Sequence, residues 1–276
     1  MPLDVAPAPA PAAAFAGRTV LVSGAARGIG LAVATRFAEA GARVVIGDVL
    51  IPEGRAAAEA LAAQGRDVRF TPLDVSDEPS WNEAAAFALE IGGRLDVLVN
   101  NAGIEITTLI ADADPAAFRR LCDVNLTGVL LGMKTAFRAM RPGGAAGRGG
   151  AIVNVSSTAA HTAFPATGPY AATKAGVERL TKVGAVEAGR LGYGVRVNCV
   201  HPGVVATALS AGSGRRLIEM GLFPDEAELQ AFMLAQTPLG RFGAPGDVAE
   251  TVAFLASDAA AYVTGAGVPV AGGMGV

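Results

Sequence analysis

Five short β-branched runs, at residues 19–22, 43–46, 96–99, 152–155 and 195–198, punctuate a chain otherwise made of helix-length segments. Thr19-Val20-Leu21-Val22 and Arg43-Val44-Val45-Ile46 are the first two, and both are apolar almost throughout. Alternating polar and apolar residues mark a strand with one wet face, whereas continuous apolar character marks one covered on both. Helical segments between the runs, at 29–40, 53–64, 81–91, 115–140 and 169–191, supply that cover. Parallel strands need long crossovers, so this alternation predicts an α/β protein. One doubly wound parallel sheet carries helices on both faces and takes ligands at the carboxyl ends of its strands.

Hydrophobic residues make up 51% of the 276 and charged residues 17%, enough for one well-buried domain, assigned here to residues 17–276. Residues 1–16 are Ala/Pro-rich and read as a flexible tail; the first fourteen carry no basic residue, unlike a secretory signal. The net charge of −3 and the lack of a basic stretch argue against nucleic acid. No apolar run reaches the roughly 18 residues of a membrane span. Cys122 and Cys199 are too few for a disulfide framework or a metal cluster, so no metal is expected. Cys199, within the apolar run 195–200, reads as a buried core thiol, and the cysteine usage fits a reducing cytoplasm.

The first strand runs into Ser23-Gly24-Ala25-Ala26-Arg27-Gly28-Ile29-Gly30, with a helix behind it. Glycines let the backbone approach a pyrophosphate closely, and a helix N-terminus offers free N–H groups and partial positive charge. The spacing is G-x-x-x-G-x-G, not the commoner G-x-G-x-x-G. Asp48 ends the second strand, eighteen residues after Gly30. A carboxylate there can accept hydrogen bonds from an adenosine ribose and repels a 2′-phosphate, favouring NAD over NADP. Arg27 pulls the other way, since a guanidinium in the turn can hold a phosphate.

Tyr170 precedes Lys174 by one helical turn, and Ser157 lies thirteen residues before the tyrosine. An i, i+4 pair shares one helix face. A cation beside a phenol favours the phenolate, so Lys174 is expected to draw the Tyr170 pKa down from about 10 and fit it for proton exchange. Alone, such a pair is weak evidence, since most are ordinary helix surface.

Taken together, these segments resemble the classical short-chain dehydrogenase/reductase family from about Gly17 onward. Ser23-Gly24-x-x-x-Gly28-Ile29-Gly30 is similar to the family's T-G-x-x-x-G-x-G, and Asn100-Asn101-Ala102-Gly103 to its N-N-A-G segment. Asn125 stands where the family has a helix-kinking asparagine, Ser157, Tyr170 and Lys174 keep its catalytic spacing, and Asp74-Val75 matches a segment near adenine. His201-Pro202-Gly203 with Val205 and Thr207 matches P-G-x-x-x-T, which meets nicotinamide. The resemblance implies a Rossmann fold and a hydride transfer between NAD(H) and a small secondary alcohol or ketone. Tyr170 would be the general acid/base, Ser157 would hold the substrate oxygen, and Lys174 would bind the nicotinamide ribose. Asn125 would hold a water that links Lys174 to solvent. Gly24, Arg27, Gly28, Ile29, Gly30, Asp48, Asp74, Val75, Asn101, Ala102, Gly103, Tyr170, Lys174, Pro202, Gly203, Val205 and Thr207 would bind the cofactor. Alternatives are 3-oxoacyl-thioester reduction, or a dinucleotide-binding regulator without turnover. The resemblance also implies a homo-oligomer, a tetramer or a dimer, joined through the two longest helices with Ala171, Ala172 and Ala175 at the contact.

Residues 207–236 interrupt the alternation with apolar Leu217, Ile218, Met220, Leu222 and Phe223, and read as a substrate lid or as a helical hairpin covering core. His161, Phe164, Pro165 and Glu105 join Ser157 and Tyr170 as candidates for lining the pocket. Ala271 stands where the family often has an acidic residue before Gly272-Gly273, and the Gly/Ala-rich stretch 142–150 reads as a surface loop.

Overall fold

Why the apolar runs become buried strands is visible in the first of them. In the computed structural model, which describes residues 14–275, Val20 and Val22 of β1 (Thr19–Ser23) face one core while Leu21 faces the other. In β2 (Arg43–Asp48), Val44 and Ile46 divide from Val45 in the same way. Period-2 alternation therefore feeds two apolar layers from one continuous run.

Chain order continues through α1 (Gly28–Glu39), which precedes β2, then α2 (Ile51–Ala62), β3 (Val68–Pro72), α3 (Glu78–Gly92) and β4 (Val97–Asn100). The second half holds α4 (Pro115–Cys122), α5 (Gly128–Met140), β5 (Gly150–Val155), α6 (Gly168–Arg190) and β6 (Val195–Pro202). Two further helices, α7 (Ala208–Glu219) and α8 (Glu226–Ala235), lead to α9 (Pro245–Ala256) and β7 (Gly267–Val270). Among the described residues the seven strands are all parallel, in the order β3-β2-β1-β4-β5-β6-β7. The chain reverses direction across the sheet between β1 and β4, which opens a crevice at their carboxyl ends. Helices α1, α2 and α9 pack on one face; α3, α5 and α6 pack on the other.

Several expectations need correction. β3 and β7 carry no apolar run: they are the sheet's edges, Arg69 of β3 is exposed, and β7 contains Gly267 and Pro269. An edge strand has less to bury and tolerates proline, so the continuous-run signal fades there. The helix expected over 115–140 runs without a gap, with a π-turn at Asp123–Thr127 between α4 and α5, around the asparagine expected to kink it. Residues 1–13 of the expected tail lie outside the described residues, but its last three do not behave as a tail. Phe15 is buried, packs edge-on against Phe37 at 4.8 Å between centroids, and donates its N–H to the Ala40 carbonyl at 3.0 Å. Cys199 is buried in β6 as expected, and both cysteines are free. No described helix is long and apolar enough to cross a membrane.

Candidate active site

Six strand ends form one rim of the molecule, and nearly every residue singled out in the sequence stands on it. The turn after β1 is stitched to the turn after β4 by side chain and backbone together. Ser23 Oγ accepts from the Asn101 and Ala102 N–H groups at 3.1 and 3.2 Å, and Asn101 Nδ2 donates to the Ser23 and Gly24 carbonyls at 3.1 and 2.8 Å. Gly24 takes φ +64°, and a Cβ built on it would lie 2.6 Å from the Ala102 Cα. On Gly30 a Cβ would lie 2.2 Å from the Gly24 carbonyl oxygen. Both positions need glycine, and what they leave is a bare backbone cradle in front of the N-terminus of α1, whose first N–H groups have no side-chain cap. This cradle fits a dinucleotide pyrophosphate.

Asp48, at the end of β2, is buried and takes hydrogen bonds from Ala26 N–H of the glycine turn at 2.9 Å and from Leu50 N–H at 3.0 Å. It thus braces the turn as well as edging the crevice. Arg27 is exposed at the N-cap of α1, and Ile29 is half-buried within that helix. Beyond β3, Asp74 is held below the usual carboxylate range, chiefly by the Ser76 hydroxyl, which reaches it at 2.6 Å. Val75 is buried and its carbonyl accepts from Trp81 Nε1 at 3.0 Å. On the other flank Pro202 closes β6, Gly203 donates to the Val270 carbonyl at 3.1 Å, and Val205 is buried beside Gly243. Thr207 caps α7, and its methyl group would stand 3.7 Å from a Cβ on Gly28, so the two ends of the chain's motif set meet across the crevice.

The polar cluster sits between these flanks. Asn125, fully buried in the π-turn, accepts from Ile104 N–H and donates to its carbonyl, both at 2.9 Å, and reaches Thr173 Oγ1 at 3.2 Å. The wide turn is what lets this side chain point across to α6. Ser157 follows β5 and accepts from Ala159 N–H at 3.1 Å. Lys174 is buried on α6, donates to the Val155 carbonyl at 2.9 Å and lies 5.6 Å from the centre of the Tyr170 ring. A Cβ on Gly103 would stand 3.5 Å from its Nζ and 3.4 Å from Asn125 Oδ1. Asn125, Ser157, Tyr170 and Lys174 are therefore one cluster, opening beside the glycine turn.

One expectation about it fails. Tyr170 is not acidified: burial first, and then the Glu105 carboxylate, push its pKa above the ordinary tyrosine range, and only the Ser157 hydroxyl works against them. Burial likewise pushes Lys174 down, to about 8, and its ammonium donates to the Val155 carbonyl. Glu105 is itself raised by burial, with the Ser213 hydroxyl of α7 and the Lys174 charge opposing.

A family model described as enoyl-(acyl carrier protein) reductase matches residues 24–275. The trans-4-hydroxycyclohexanecarboxylate dehydrogenase of Sinomonas cyclohexanicum is 42% identical over 264 residues, covering 94% of this chain and 93% of that protein. This chain belongs to the short-chain dehydrogenase/reductase family. Among its other relatives, an NADP-dependent (R)-specific alcohol dehydrogenase of Lentilactobacillus kefiri is 36% identical, covering 93% of this chain and 96% of that one. The crystal structure of gox2181 superposes with a TM-score of 0.85 at 34% identity, over 94% of this chain and 96% of that chain. As a short-chain dehydrogenase/reductase, the protein is an oxidoreductase of alcohols and carbonyl compounds that uses a nicotinamide dinucleotide.

Over the cluster of this dehydrogenase/reductase, residues 207–236 form the α7–α8 hairpin with a small apolar core of their own. Ala166, Leu217 and Leu229 are buried in it, and Phe164 joins them from the segment after Ser157. Phe164 stacks on Phe223 at 6.2 Å and 10°, and Phe232 meets Phe223 at 5.4 Å. Pro165 is exposed, and His161 points instead to Glu178 and the His201 ring. Sequence reasoning passed over the buried polar chain behind the site: Asn100 Nδ2 donates to Asn154 Oδ1 at 2.8 Å and Asn154 Nδ2 to Thr181 Oγ1 at 2.9 Å. The signal was present, as asparagines inside otherwise apolar runs have to find partners.

Proposed function

We propose that this enzyme moves hydride between NAD(H) and a secondary alcohol or ketone, with Tyr170 exchanging the proton. The observation that carries this reading is the cluster itself: phenol, serine hydroxyl and buried ammonium converge beside a glycine cradle at the sheet's switch point. When bound, the nicotinamide supplies or accepts the hydride. Ser157 donates a hydrogen bond to the substrate oxygen. Tyr170 gives its proton to that oxygen in reduction, and its phenolate takes the hydroxyl proton in oxidation. A phenol pushed upward holds its proton at neutral pH, which suits reduction there and makes oxidation gain with alkalinity. Lys174 binds the nicotinamide ribose, and Asn125 holds the water that returns the proton to solvent.

NAD is favoured over NADP by Asp48, whose buried carboxylate edges the crevice where an adenosine ribose would lie. The cluster of Phe164 with Phe223 and Phe232 of the hairpin favours an apolar, ring-bearing alcohol, in keeping with the cyclohexane ring in the name of the Sinomonas relative. The acyl carrier protein in the description of the matching family model supports a thioester-borne substrate, and with it 3-oxoacyl-thioester reduction as a second reading. Exposed Leu130, Val183 and Val186, with Ala172 and Ala175, support a homo-oligomer joined through α5 and α6, and the two free cysteines support a cytoplasmic setting. Reduced-nicotinamide absorbance with each dinucleotide, run against cyclic alcohols and a 3-oxoacyl thioester, tests the reading. Turnover of cyclic alcohols with NAD is expected, and turnover of the thioester alone would favour the second reading. No turnover of any substrate despite dinucleotide binding would overturn both.

A further inference from the structure

At the foot of the turn that carries Ser157, three side chains converge that the proposed reaction does not use. His161 follows the single helical turn Thr158–Ala160, Glu178 sits on α6, and His201 lies near the end of β6. One metal-ligating atom from each lies within 4.8 Å of those of the other two. His161 Nε2 is 3.0 Å from Glu178 Oε2, and the two imidazole rings meet at 4.7 Å between centroids. Glu178 and His201 are buried, while half of the His161 side chain is exposed.

We propose that His161, Glu178 and His201 form a binding site for a divalent transition-metal ion of the zinc class. Two imidazoles and a carboxylate are a donor set that zinc takes with a fourth position left open, and here the exposed side of His161 gives that position access to solvent. His201 Nδ1 lies 3.1 Å from the Ser157 carbonyl oxygen. A carbonyl only accepts, so Nδ1 carries the hydrogen and Nε2 keeps the lone pair. An outer hydrogen bond of this kind fixes the tautomer and aim of metal-bound histidines.

The surroundings suit a cation. Burial keeps His201 below the ordinary histidine range and therefore neutral at neutral pH. Burial works against the Glu178 charge, yet Lys182 and the two histidines outweigh it and hold the group below the usual glutamate range. Lys182 occupies Glu178 Oε1, which leaves Oε2 to the histidine side; the lysine is half-exposed and free to swing outward. The Cys199 thiol stands 3.5 Å from His201 Nε2, and burial pushes it up to about 11, so it is a weak neutral donor that a metal displaces readily. Sequence spacing hides the set, because the ligands stand seventeen and twenty-three residues apart on three different elements. Since His201 also holds the Ser157 carbonyl, an occupied site would staple the serine turn to α6 and β6.

Calorimetric titration of zinc chloride into the full chain, prepared without a histidine tag at neutral pH, tests the site alongside thermal unfolding with and without zinc. One saturable site per chain and a zinc-dependent rise in Tm are expected for the parent. His161→Ala, a change at a half-exposed position that leaves the core intact, should weaken zinc binding about tenfold or more and abolish the rise, and Glu178→Gln should do the same. No saturable uptake by the parent would overturn the proposal, as would uptake and a Tm rise unchanged in His161→Ala.

Discussion

The two flanks of the crevice are built by different means. On the β1–β4 flank, backbone groups do the positioning: Ser23, Asn101 and Asp48 each bond to main-chain atoms, and Gly24 and Gly30 are held where no side chain fits. On the opposite flank, the α7–α8 hairpin rests on side-chain contacts among Phe164, Phe223 and Phe232 around a small buried core. A flank fixed by backbone tolerates little change in residue type, whereas one fixed by apolar contact can be repacked while volume is kept. Under the function proposed above, the first suits the dinucleotide, which never varies, and the second a substrate that does.

Changes on the shared boundary should have the largest effect. Tyr170→Phe keeps the ring and removes the proton, so kcat is expected to fall about 10²–10⁴-fold while dinucleotide binding and Tm stay close to the parent's. Turnover at the parent rate would remove the phenol from the mechanism. On the backbone-built flank, Gly24→Ala forces an alanine to φ +64° with its Cβ 2.6 Å from the Ala102 Cα. Strain of this kind costs about 1–3 kcal/mol, which corresponds to a loss of roughly 5- to 150-fold if it falls on cofactor affinity. Fluorescence titration with NADH would measure it, and an unchanged affinity would show that the turn is looser than its contacts imply.

The contrast between flanks also governs what the sequence made legible. Ser23, Gly24, Gly30 and Asn101 could be placed from spacing because a tight turn admits few residue types. The interior strands were legible because burial on both faces leaves them little but apolar residues. The α7–α8 hairpin was visible only as an interruption, since Leu217, Phe223 and Phe232 pack equally well in many arrangements. The π-turn around Asn125 has no signature in hydrophobic periodicity, and Phe15 was hidden in an Ala/Pro-rich leader. Tyr170 failed differently: its pairing with Lys174 was placed correctly, but spacing says nothing of burial or of the Glu105 carboxylate, and those decide the direction of its pKa.

Smaller effects should separate the flanks further. Asp48→Ala removes the carboxylate that disfavours a 2′-phosphate, and the NAD over NADP ratio of kcat/KM is expected to drop about tenfold, or 1.4 kcal/mol. A ratio that does not move would assign Asp48 to bracing Ala26 alone. On the other flank, Phe223→Ala removes two aromatic contacts worth about 0.5–1.5 kcal/mol each beyond their buried area. KM for the alcohol should rise several-fold, with NADH affinity unaltered; a parallel loss of both would mean that the hairpin also holds the dinucleotide.

The last predicted effect, a displaced pH profile with no loss of maximal rate, lies where the flanks meet, at Glu105. Its negative charge raises the pKa of Tyr170 and also that of Lys174. Glu105→Gln keeps the shape and removes the charge, so both values should fall. For the phenol, a lower pKa means that phenolate is present at lower pH, and the rise of alcohol-oxidation kcat/KM should move acidward by up to about one pH unit, a difference of about 1.4 kcal/mol. For Lys174, a value below about 8 means earlier loss of the ammonium, which taken alone would favour the protonated phenol. The direct effect should prevail, because the Glu105 charge is, after burial, what raises Tyr170 in this structure. The pH profile of kcat/KM for the parent and Glu105→Gln decides the matter. An acidward shift places the carboxylate in the proton-transfer field, whereas a change in KM with an unmoved profile confines it to the pocket wall.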